Sequence, residues 1–122
     1  MGVEVKAVSG PRDYKRFVDL PFRLHANHPQ WVPPLKLERY AYLSRHMNPY
    51  FKHGEVQCFL ALRDGRVVGR ISAQIDHAYN EYHKAKWGWF GFIEFEDDVE
   101  VVRALLAAAQ RWLAARGCER MV

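Results

Sequence analysis

A β-hairpin in the middle of the chain constrains the fold more than any other feature. The segment from Val56 to Asp76, VQCFLALRDGRVVGRISAQID, places Asp64-Gly65 between two runs of strand-forming residues. Both central positions of a two-residue hairpin turn need positive φ, which Asp-Gly tolerates, so the two runs are predicted to be antiparallel neighbours. The first run is apolar on both faces and is predicted to be central in its sheet. The second run is predicted to have an apolar face with Val67, Ile71, Ala73 and Ile75, and a wetter face with Arg66, Arg70, Ser72 and Gln74.

Two helices are predicted between a first strand and this hairpin. Val3 to Val8 alternates apolar and charged residues and predicts a strand, which Ser9-Gly10-Pro11 ends. A helix follows, because proline suits a first helical turn and the apolar residues recur at helical spacing. Pro21 lies inside that pattern and is expected to kink the helix or divide it in two. The segment NHPQWVPP predicts a rigid loop, and a second helix is predicted from about Leu35 to His46.

After the hairpin, the pattern predicts a connection, a strand, a helix and the start of another strand. HAYNEYHKAK, residues 77–86, is predicted to be a polar connection, and Trp87 to Phe95 a strand. Asp98 to Arg116 has apolar residues at helical spacing, with Gly117 as a C-terminal stop, and CERMV begins a further strand. We therefore expect an antiparallel sheet from Val56 through Phe95, with the last helix against one of its faces.

The composition is that of a globular domain. The chain has 122 residues, a formal net charge of +4 and 49% hydrophobic residues, so one domain over residues 1–122 is expected. No apolar run approaches the ~18 residues of a membrane span, and the N-terminus has no signal-peptide core. We therefore expect a cytoplasmic protein without a membrane partner. Cys58 and Cys118 lie in apolar contexts without metal-type spacing and are expected to be buried, reduced thiols.

The order of these elements, together with several segments, resembles one protein family. FLALRDGRVVGRI, ALLAAAQRWLAARGCERMV, FVDLPFRLHANHPQWVPPL and WFGFIEFEDD are similar to the N-terminal portion of GNAT-superfamily N-acetyltransferases, within a bacterial GNAT-like group of unclear substrate. The resemblance implies an α/β (α+β) fold with a mixed, mainly antiparallel sheet and flanking helices. It also implies an N-acyltransferase that moves an acyl group, such as acetyl, from acyl-CoA to an amine substrate. A non-catalytic interaction module of the same fold is the alternative, and an RNA-binding domain is a further one.

The resemblance also implies where acetyl-CoA or another acyl-CoA binds. The fourth strand of the family offers backbone groups to the pantetheine, and the corresponding residues here are Ile93, Glu94 and Phe95. The following turn and helix N-terminus cradle the pyrophosphate. The corresponding residues here are Asp98, Val99, Glu100 and Val101.

The turn departs from the family's pattern. The positions that are Gln or Arg, Gly, and Gly or Ala in the family fall on Asp97, Glu100 and Val102. Two of these side chains are carboxylates, which repel a phosphate. The residues by themselves favour a structural role, with Asp97 as the helix N-cap and Glu100 completing a capping box.

The resemblance reaches only to the start of the family's fifth strand. The general acid of the family, often a tyrosine, comes after that strand, so no catalytic residue is assigned. We expect the domain to be incomplete at its C-terminus, which would leave a strand edge and the apolar side of Trp87 to Phe95 uncovered. Exposed edges favour pairing with another chain, so a homodimer is predicted, either through Cys118 to Val122 or by exchange of that segment between protomers.

Two other patterns point to different chemistry. FGFIEF, residues 90–95, matches the core of the RNA-recognition-motif signature, but the basic residue and glycine that should precede it are absent, so no nucleic-acid partner is expected. Buried aromatic side chains in a central strand account for the same residues. Asp76, His77, Asn80 and His83 could suggest a metal site, yet a solvated turn accounts for them better, and no metal is expected.

Overall fold

The computed structural model of the protein describes residues 2–33, 35–44 and 48–122. In chain order its elements are β1 (Glu4–Ala7), α1 (Gly10–Leu24), α2 (Lys36–Leu43), a short 3-10 helix (Pro49–Lys52), β2 (Gly54–Arg63), β3 (Arg66–Asp76), α3 (His77–His83), β4 (Trp87–Phe95), α4 (Val99–Ala115) and β5 (Arg120–Met121). The predicted end of the second helix at His46 lies outside the described residues.

The five strands form one sheet in the order β1-β2-β3-β4-β5. Neighbouring strands are antiparallel except β4 and β5, which are parallel. Asp64 and Gly65 turn the β2–β3 hairpin with φ values of 52° and 79°, as an Asp-Gly turn requires. The predicted antiparallel run from β2 through β4 is confirmed, and so is the mixed, mainly antiparallel α+β fold class.

Helices α1 and α2 cover one face of the sheet, and α4 covers the other. The core on the first side, called the α1 face here, contains Val8, Phe17, Val18, Leu43, Cys58, Leu60 and Leu62. The core on the second side, called the α4 face, contains Phe59, Ala61, Val68, Ile71, Ala73, Ile75, Val101, Leu105, Ala108, Ala109 and Leu113. Strand β2 contributes to both cores, so the prediction that it is apolar on both faces is confirmed.

A bulge in β3 changes the face that was predicted for Val67. Ala61 pairs with Gly69 and Leu62 pairs with Val67, so Val68 is an extra residue between them. Val68 packs on the α4 face, whereas Val67 packs on the α1 face. The prediction that Val67 lies with the other apolar residues of β3 is wrong, because simple alternation does not register an inserted residue.

The polar side of β3 is buried rather than wet. Arg70 and Ser72 are 6% and 0% exposed, because α1 packs over this side of the strand. Ser72 Oγ donates to Gln74 Oε1 at 2.7 Å. Among the described residues, every buried side-chain nitrogen and oxygen has a hydrogen-bond partner, which is the condition for burying polar groups at low cost.

The guanidinium of Arg70 joins α1 to β4. Nη1 donates to the carbonyl oxygen of Phe17 at 2.7 Å, and Nε donates to that of Phe92 at 2.9 Å. Pro21 lies four residues after Phe17 and has no N–H, so the Phe17 carbonyl lacks its helical donor. Arg70 replaces that donor, and α1 continues through Pro21 to Leu24 without the expected division. Burial lowers the pKa of Arg70 to about 10, which leaves the group charged at neutral pH.

The predicted polar connection after the hairpin is a short helix, α3. Asp76 begins it by accepting the Tyr79 amide at 3.0 Å, and Lys84 ends it in the left-handed conformation with φ 52°. The Asn80 side chain bonds to both the carbonyl and the amide of Trp87, at 2.9 and 3.2 Å. The prediction of a solvated turn was wrong, and the helix fixes the start of β4.

The two cysteines differ in burial, although both are free thiols. Cys58 is buried on the α1 face, and burial raises its pKa to about 12. Cys118 is half-buried, and burial raises its pKa as well. The expectation of a buried thiol is therefore confirmed for Cys58 and wrong for Cys118.

Replacing Arg70 with methionine should destabilise the fold by about 2–4 kcal/mol, because two buried carbonyl groups lose their donor. Arg66→Met is the matched control on the same strand. The Arg66 side chain is 61% exposed, so its loss should cost under about 1 kcal/mol. Urea unfolding followed by circular dichroism measures both changes in the free energy of unfolding. Equal losses would contradict the role given to Arg70.

Candidate functional site

Strand β4 contains a two-residue irregularity at the centre of the candidate site. Arg70 pairs with Glu94 and Ser72 pairs with Gly91, so Phe92 and Ile93 together lie opposite one residue of β3. Phe92 has φ 51°, a left-handed conformation that is uncommon outside glycine. Phe92 packs on the α1 face and Ile93 on the α4 face. The bulge thus sets which side of the sheet each later residue of β4 reaches.

The outer edge of β4 is covered only at its start. Strand β5 pairs with Trp87 and Gly88, and within the described residues no strand adjoins β4 on that side after Gly88. Ile93, Glu94 and Phe95, the predicted pantetheine contacts, lie in this later part of β4. An extended ligand can therefore align with the strand there and bond to its backbone, as an added strand would.

A histidine–carboxylate pair lies beside this part of β4. His25 Nε2 is 3.0 Å from Glu94 Oε2, and both side chains are about three-quarters buried, with 24% and 29% exposed. The His25 ring stacks on Trp31 with centroids 5.2 Å apart. Its other nitrogen, Nδ1, is 3.0 Å from Nδ1 of His28. The pair joins the segment after α1 to the strand and provides a group that can accept a proton.

The acids between β4 and α4 are paired with bases from three other elements. Glu96 lies between Arg23 and Arg66, at 2.9 and 2.8 Å. Arg63 contacts Asp98 at 2.8 Å and Glu100 at 3.6 Å. The negative charge of this turn is therefore largely balanced within the protein. A phosphate that approached it would meet arginines as well as carboxylates.

Helix α4 is capped by Asp98 rather than by Asp97. Asp98 has extended backbone geometry, and its carboxylate accepts the Glu100 amide at 2.9 Å. Its carbonyl oxygen accepts the Val101 amide at 3.1 Å. The predicted assignment of the cap to Asp97 is wrong by one residue: β4 ends at Phe95 as predicted, but Asp97 still belongs to the connection before the helix.

The start of α4 fits a phosphate poorly in this arrangement. The amides of Glu100 and Val101 are already bonded to Asp98, so a phosphate would have to displace those bonds. Val101 is 1% exposed and packs on the α4 face, whereas Val99 is 61% exposed. Of the predicted cradle residues, Asp98, Val99 and Glu100 thus reach the surface, and Val101 can contribute only its backbone.

An apolar crevice lies on the α1 face next to the bulge. It is narrow, with a volume of about 20 Å³ that suits roughly one water molecule, and it is lined by Leu43, Asn48, Tyr50, Phe51, Val56, Gln74 and Phe92. Phe92 belongs both to this crevice and to the bulge of β4. The crevice therefore lies beside the bulge of β4, and an apolar group larger than a water molecule would have to widen it.

The aromatic residues of FGFIEF do not share one face. Phe90 pairs with Ala73, whose side chain lies on the α4 face, whereas Phe92 packs on the α1 face. Stacking of successive bases on an RNA-recognition motif requires these aromatics on one platform. Phe90 and Phe95 are 36% and 38% exposed, so the expectation that the aromatics are buried is wrong for these two.

The residues considered as metal ligands have other partners. Asp76 caps α3 and is 3.1 Å from His53, while His77 is 2.8 Å from Glu55. In the part of the chain that the structure describes, no three His, Cys, Asp or Glu residues gather in a way that could hold a metal ion.

Sequence reasoning missed His25 and Arg63 as members of the site. His25 stood only inside the segment FVDLPFRLHANHPQWVPPL, and it reaches Glu94 across 69 positions of the chain. Arg63 appeared only as the last residue of a strand. Neither had a local signal, because each gains its partner through tertiary packing.

Two curated proteins are similar in sequence to nearly the whole chain. A protein named bacterial ceramide synthase, from Caulobacter vibrioides (strain NA1000 / CB15N), is 48% identical over 116 residues, which cover 94% of this chain and 30% of that protein. Protein YghO of Escherichia coli (strain K12) is 38% identical over 117 residues, covering 96% of this chain and 30% of that protein. The chain thus spans 30% of the length of these relatives. No family model matches the chain.

Solved structures of acetyltransferases share the fold. A tandem GNAT protein from the clavulanic acid biosynthesis pathway matches with a TM-score of 0.71 at 18% identity, over 93% of this chain and 34% of that one. AAC(6')-Iy in complex with a CoA-containing bisubstrate analogue matches with a TM-score of 0.68 at 20% identity, over all of this chain and 78% of that one. The chain has the fold of the GNAT-superfamily N-acetyltransferases, as the sequence resemblance implied.

Asp98→Ala should destabilise the protein by about 1 kcal/mol, because the helix loses its cap and Arg63 loses its nearer partner. The neighbouring variant Asp97→Ala removes an exposed carboxylate without a capping role and should change stability by a few tenths of a kcal/mol at most. Midpoints of urea denaturation report both. A larger loss of stability for Asp97→Ala than for Asp98→Ala would show that Asp97 is the cap instead.

Proposed function

We propose that this chain forms part of an N-acyltransferase that passes an acyl group from acyl-CoA to the amine of a long-chain substrate. The acyl-transfer proposal rests on the bulged strand β4, which has an uncovered edge and a histidine–carboxylate pair beside it. The GNAT fold and its acetyltransferase neighbours support the same class of reaction. The relative named bacterial ceramide synthase supports the class of amine.

The acyl donor is assigned to the edge of β4 and the start of α4. Backbone groups of Ile93, Glu94 and Phe95 would bond to the pantetheine, as an added strand would. Asp98, Val99, Glu100 and Val101 form the turn that faces the phosphates. Because Asp98 caps the helix, Arg63 is the group that would contact a phosphate, by exchanging its carboxylate partners for it.

The acceptor amine is assigned to the α1 face of β4. Amide formation joins the amine nitrogen to the acyl carbon and breaks the bond from that carbon to sulfur. An amine attacks only when neutral, so a positioned base that takes a proton from the ammonium form raises the rate. Glu94 with His25 is placed for this task. The departing thiolate takes up the second proton, which the nitrogen releases as it becomes an amide.

The long-chain character of the acceptor follows from two observations. A ceramide is the amide of a long-chain amine, and 48% identity makes a related acceptor the first to test. The crevice beside the bulge is walled mainly by apolar and aromatic side chains, including Leu43 and Phe92. Such walls favour an alkyl chain over a sugar or a peptide.

A non-catalytic interaction module is the second candidate function. The self-capped start of α4 favours it, because Asp98 already holds the amides that would bind phosphate. Titration calorimetry with an acyl-CoA separates the two functions. Heat of binding supports the transferase, whereas absence of both heat and thiol release supports the interaction module.

Glu94→Gln should lower kcat for release of CoA thiol from a long-chain acyl-CoA and a long-chain amine by roughly 10²–10⁴-fold, as expected for loss of a general base. The KM for acyl-CoA should change little, because the backbone of β4 is retained. Glu96→Gln is the matched control, since Glu96 lies two residues on and pairs with Arg23 and Arg66 at the surface. Equal losses for both variants, or no thiol release with any amine, would overturn the assignment.

A homodimer stays a prediction, as do a cytoplasmic location, the absence of a nucleic-acid partner and a single domain over residues 1–122. Removal of Cys118 to Val122 should shift the distribution of oligomers, because it deletes β5, which belongs to the predicted interface. Sedimentation velocity at tens of micromolar measures the distribution. A monomer before and after the deletion would rule out the predicted interface.

A further inference from the structure

Two apolar side chains between α1 and α2 are exposed to solvent. Val32 is 83% exposed and Leu35 is 66% exposed. The segment that carries them is anchored, since the Trp31 ring contacts Phe22 at 5.4 Å and His25 at 5.2 Å. Single exposed apolar residues are common on protein surfaces, so these two indicate a function only in combination with the surface around them.

The neighbouring surface of α1 carries excess positive charge. Arg12, Lys15, Arg16, Asp19, Leu20, Arg23 and Val67 line an open groove there. The carboxylates of this region are each shared by two cations. Asp13 lies between Lys6 and Arg16, Asp19 between Lys15 and Lys36, and Glu96 between Arg23 and Arg66. The trios around Asp13 and Asp19 therefore each keep one positive charge, whereas the trio around Glu96 adjoins the acidic turn before α4. Arg12 is exposed without an ion-pair partner among the described residues.

The basic groove and the apolar residues adjoin. Lys36 follows Leu35 in the chain, and its Nζ is 3.0 Å from the Asp19 carboxylate in the groove. Glu38 on α2 is exposed as well, and Arg39 follows it. Apolar side chains beside a basic surface are the features with which a protein lies on an anionic bilayer, because the first insert and the second attracts lipid phosphates.

We propose that Val32, Leu35 and the basic groove of α1 dock the protein on an anionic lipid surface. None of the helices that the structure describes is long and apolar enough to cross a membrane. The sequence led us to expect no membrane partner for the same reason, but peripheral docking needs only exposed apolar residues within a basic field.

The docking surface is continuous with the candidate site. Trp31 precedes Val32 and stacks on His25, which is 3.0 Å from Glu94. A long-chain amine partitions into bilayers, so docking through Val32 would bring the site to the layer that holds its acceptor. This link to the acceptor rests on the proposed function, whereas the docking itself rests on charge and exposure.

Co-sedimentation of the chain with vesicles tests the docking directly. We expect binding to phosphatidylglycerol-containing vesicles, much weaker binding to pure phosphatidylcholine vesicles, and loss of binding as salt is raised. Arg12→Glu with Lys15→Glu should weaken binding by about tenfold or more. The matched control, Arg103→Glu with Arg111→Glu on α4, makes the same charge change at exposed positions of the other face and should have a smaller effect.

The apolar contribution has its own pair of variants. Val32→Asp with Leu35→Asp should weaken vesicle binding by about tenfold or more. Tyr82→Asp is the control, because Tyr82 on α3 is 84% exposed and lies outside the surface. Equal effects of control and test variants would overturn the proposal. So would equal binding to both vesicle types, or absence of binding because a second copy or another protein segment covers the surface.

Two further results separate the possible sources of the signal. Inorganic phosphate at millimolar concentration should not compete with the vesicles, and full competition would show a site for free phosphate instead of a lipid surface. Vesicle binding without thiol release would remove the proposed function and leave the docking intact. Thiol release without vesicle binding would remove the docking proposal and leave the proposed function intact.

Discussion

The buried guanidinium of Arg70 is the interaction on which the rest of the architecture depends. It donates a hydrogen bond to the Phe17 carbonyl, for which Pro21 has no N–H to offer. It donates a second hydrogen bond to the carbonyl of Phe92 at the bulge of β4. One side chain thus satisfies two irregularities, one in a helix and one in a strand. Their positions relative to each other are fixed through it. The rings of Phe17 and Phe92 lie 4.7 and 5.6 Å from the charge, which offsets part of its desolvation.

The bulge that Arg70 holds decides the chemistry available at β4. Because Gly91 pairs with Ser72 on the α1 face, regular alternation cannot also place Phe92 and Glu94 on that face. Two residues opposite one allow both, and Glu94 then meets His25. The charged groups follow a similar pattern. In the turn before α4 and on the surface of α1, a carboxylate is shared between two cations. The first arrangement neutralises a site that looks acidic in sequence, and the second leaves a basic surface.

Much of the fold could be predicted because its signals are local. Asp64-Gly65 allows one kind of turn, the flanking runs have strand periodicity, and Gly117 follows a helical pattern, and all three predictions agree with the structure. The errors fall where a local pattern meets a tertiary constraint. Val68 is inserted into β3 by a bulge, and Arg70 is buried because α1 covers a face that looked wet. The helix cap is Asp98 rather than Asp97, because Asp98 is the residue whose carboxylate accepts an amide of the first helical turn.

The sequence by itself determined the order of the elements, the hairpin at Asp64-Gly65 and the resemblance that predicts a site on β4 and the start of α4. These follow from periodicity, turn chemistry and motif spacing, which are properties of neighbouring residues. Only the tertiary structure decided that His25 meets Glu94 and that Arg63 meets Asp98. Contacts between residues far apart in the chain depend on how helices and strands pack, and no local pattern records that packing.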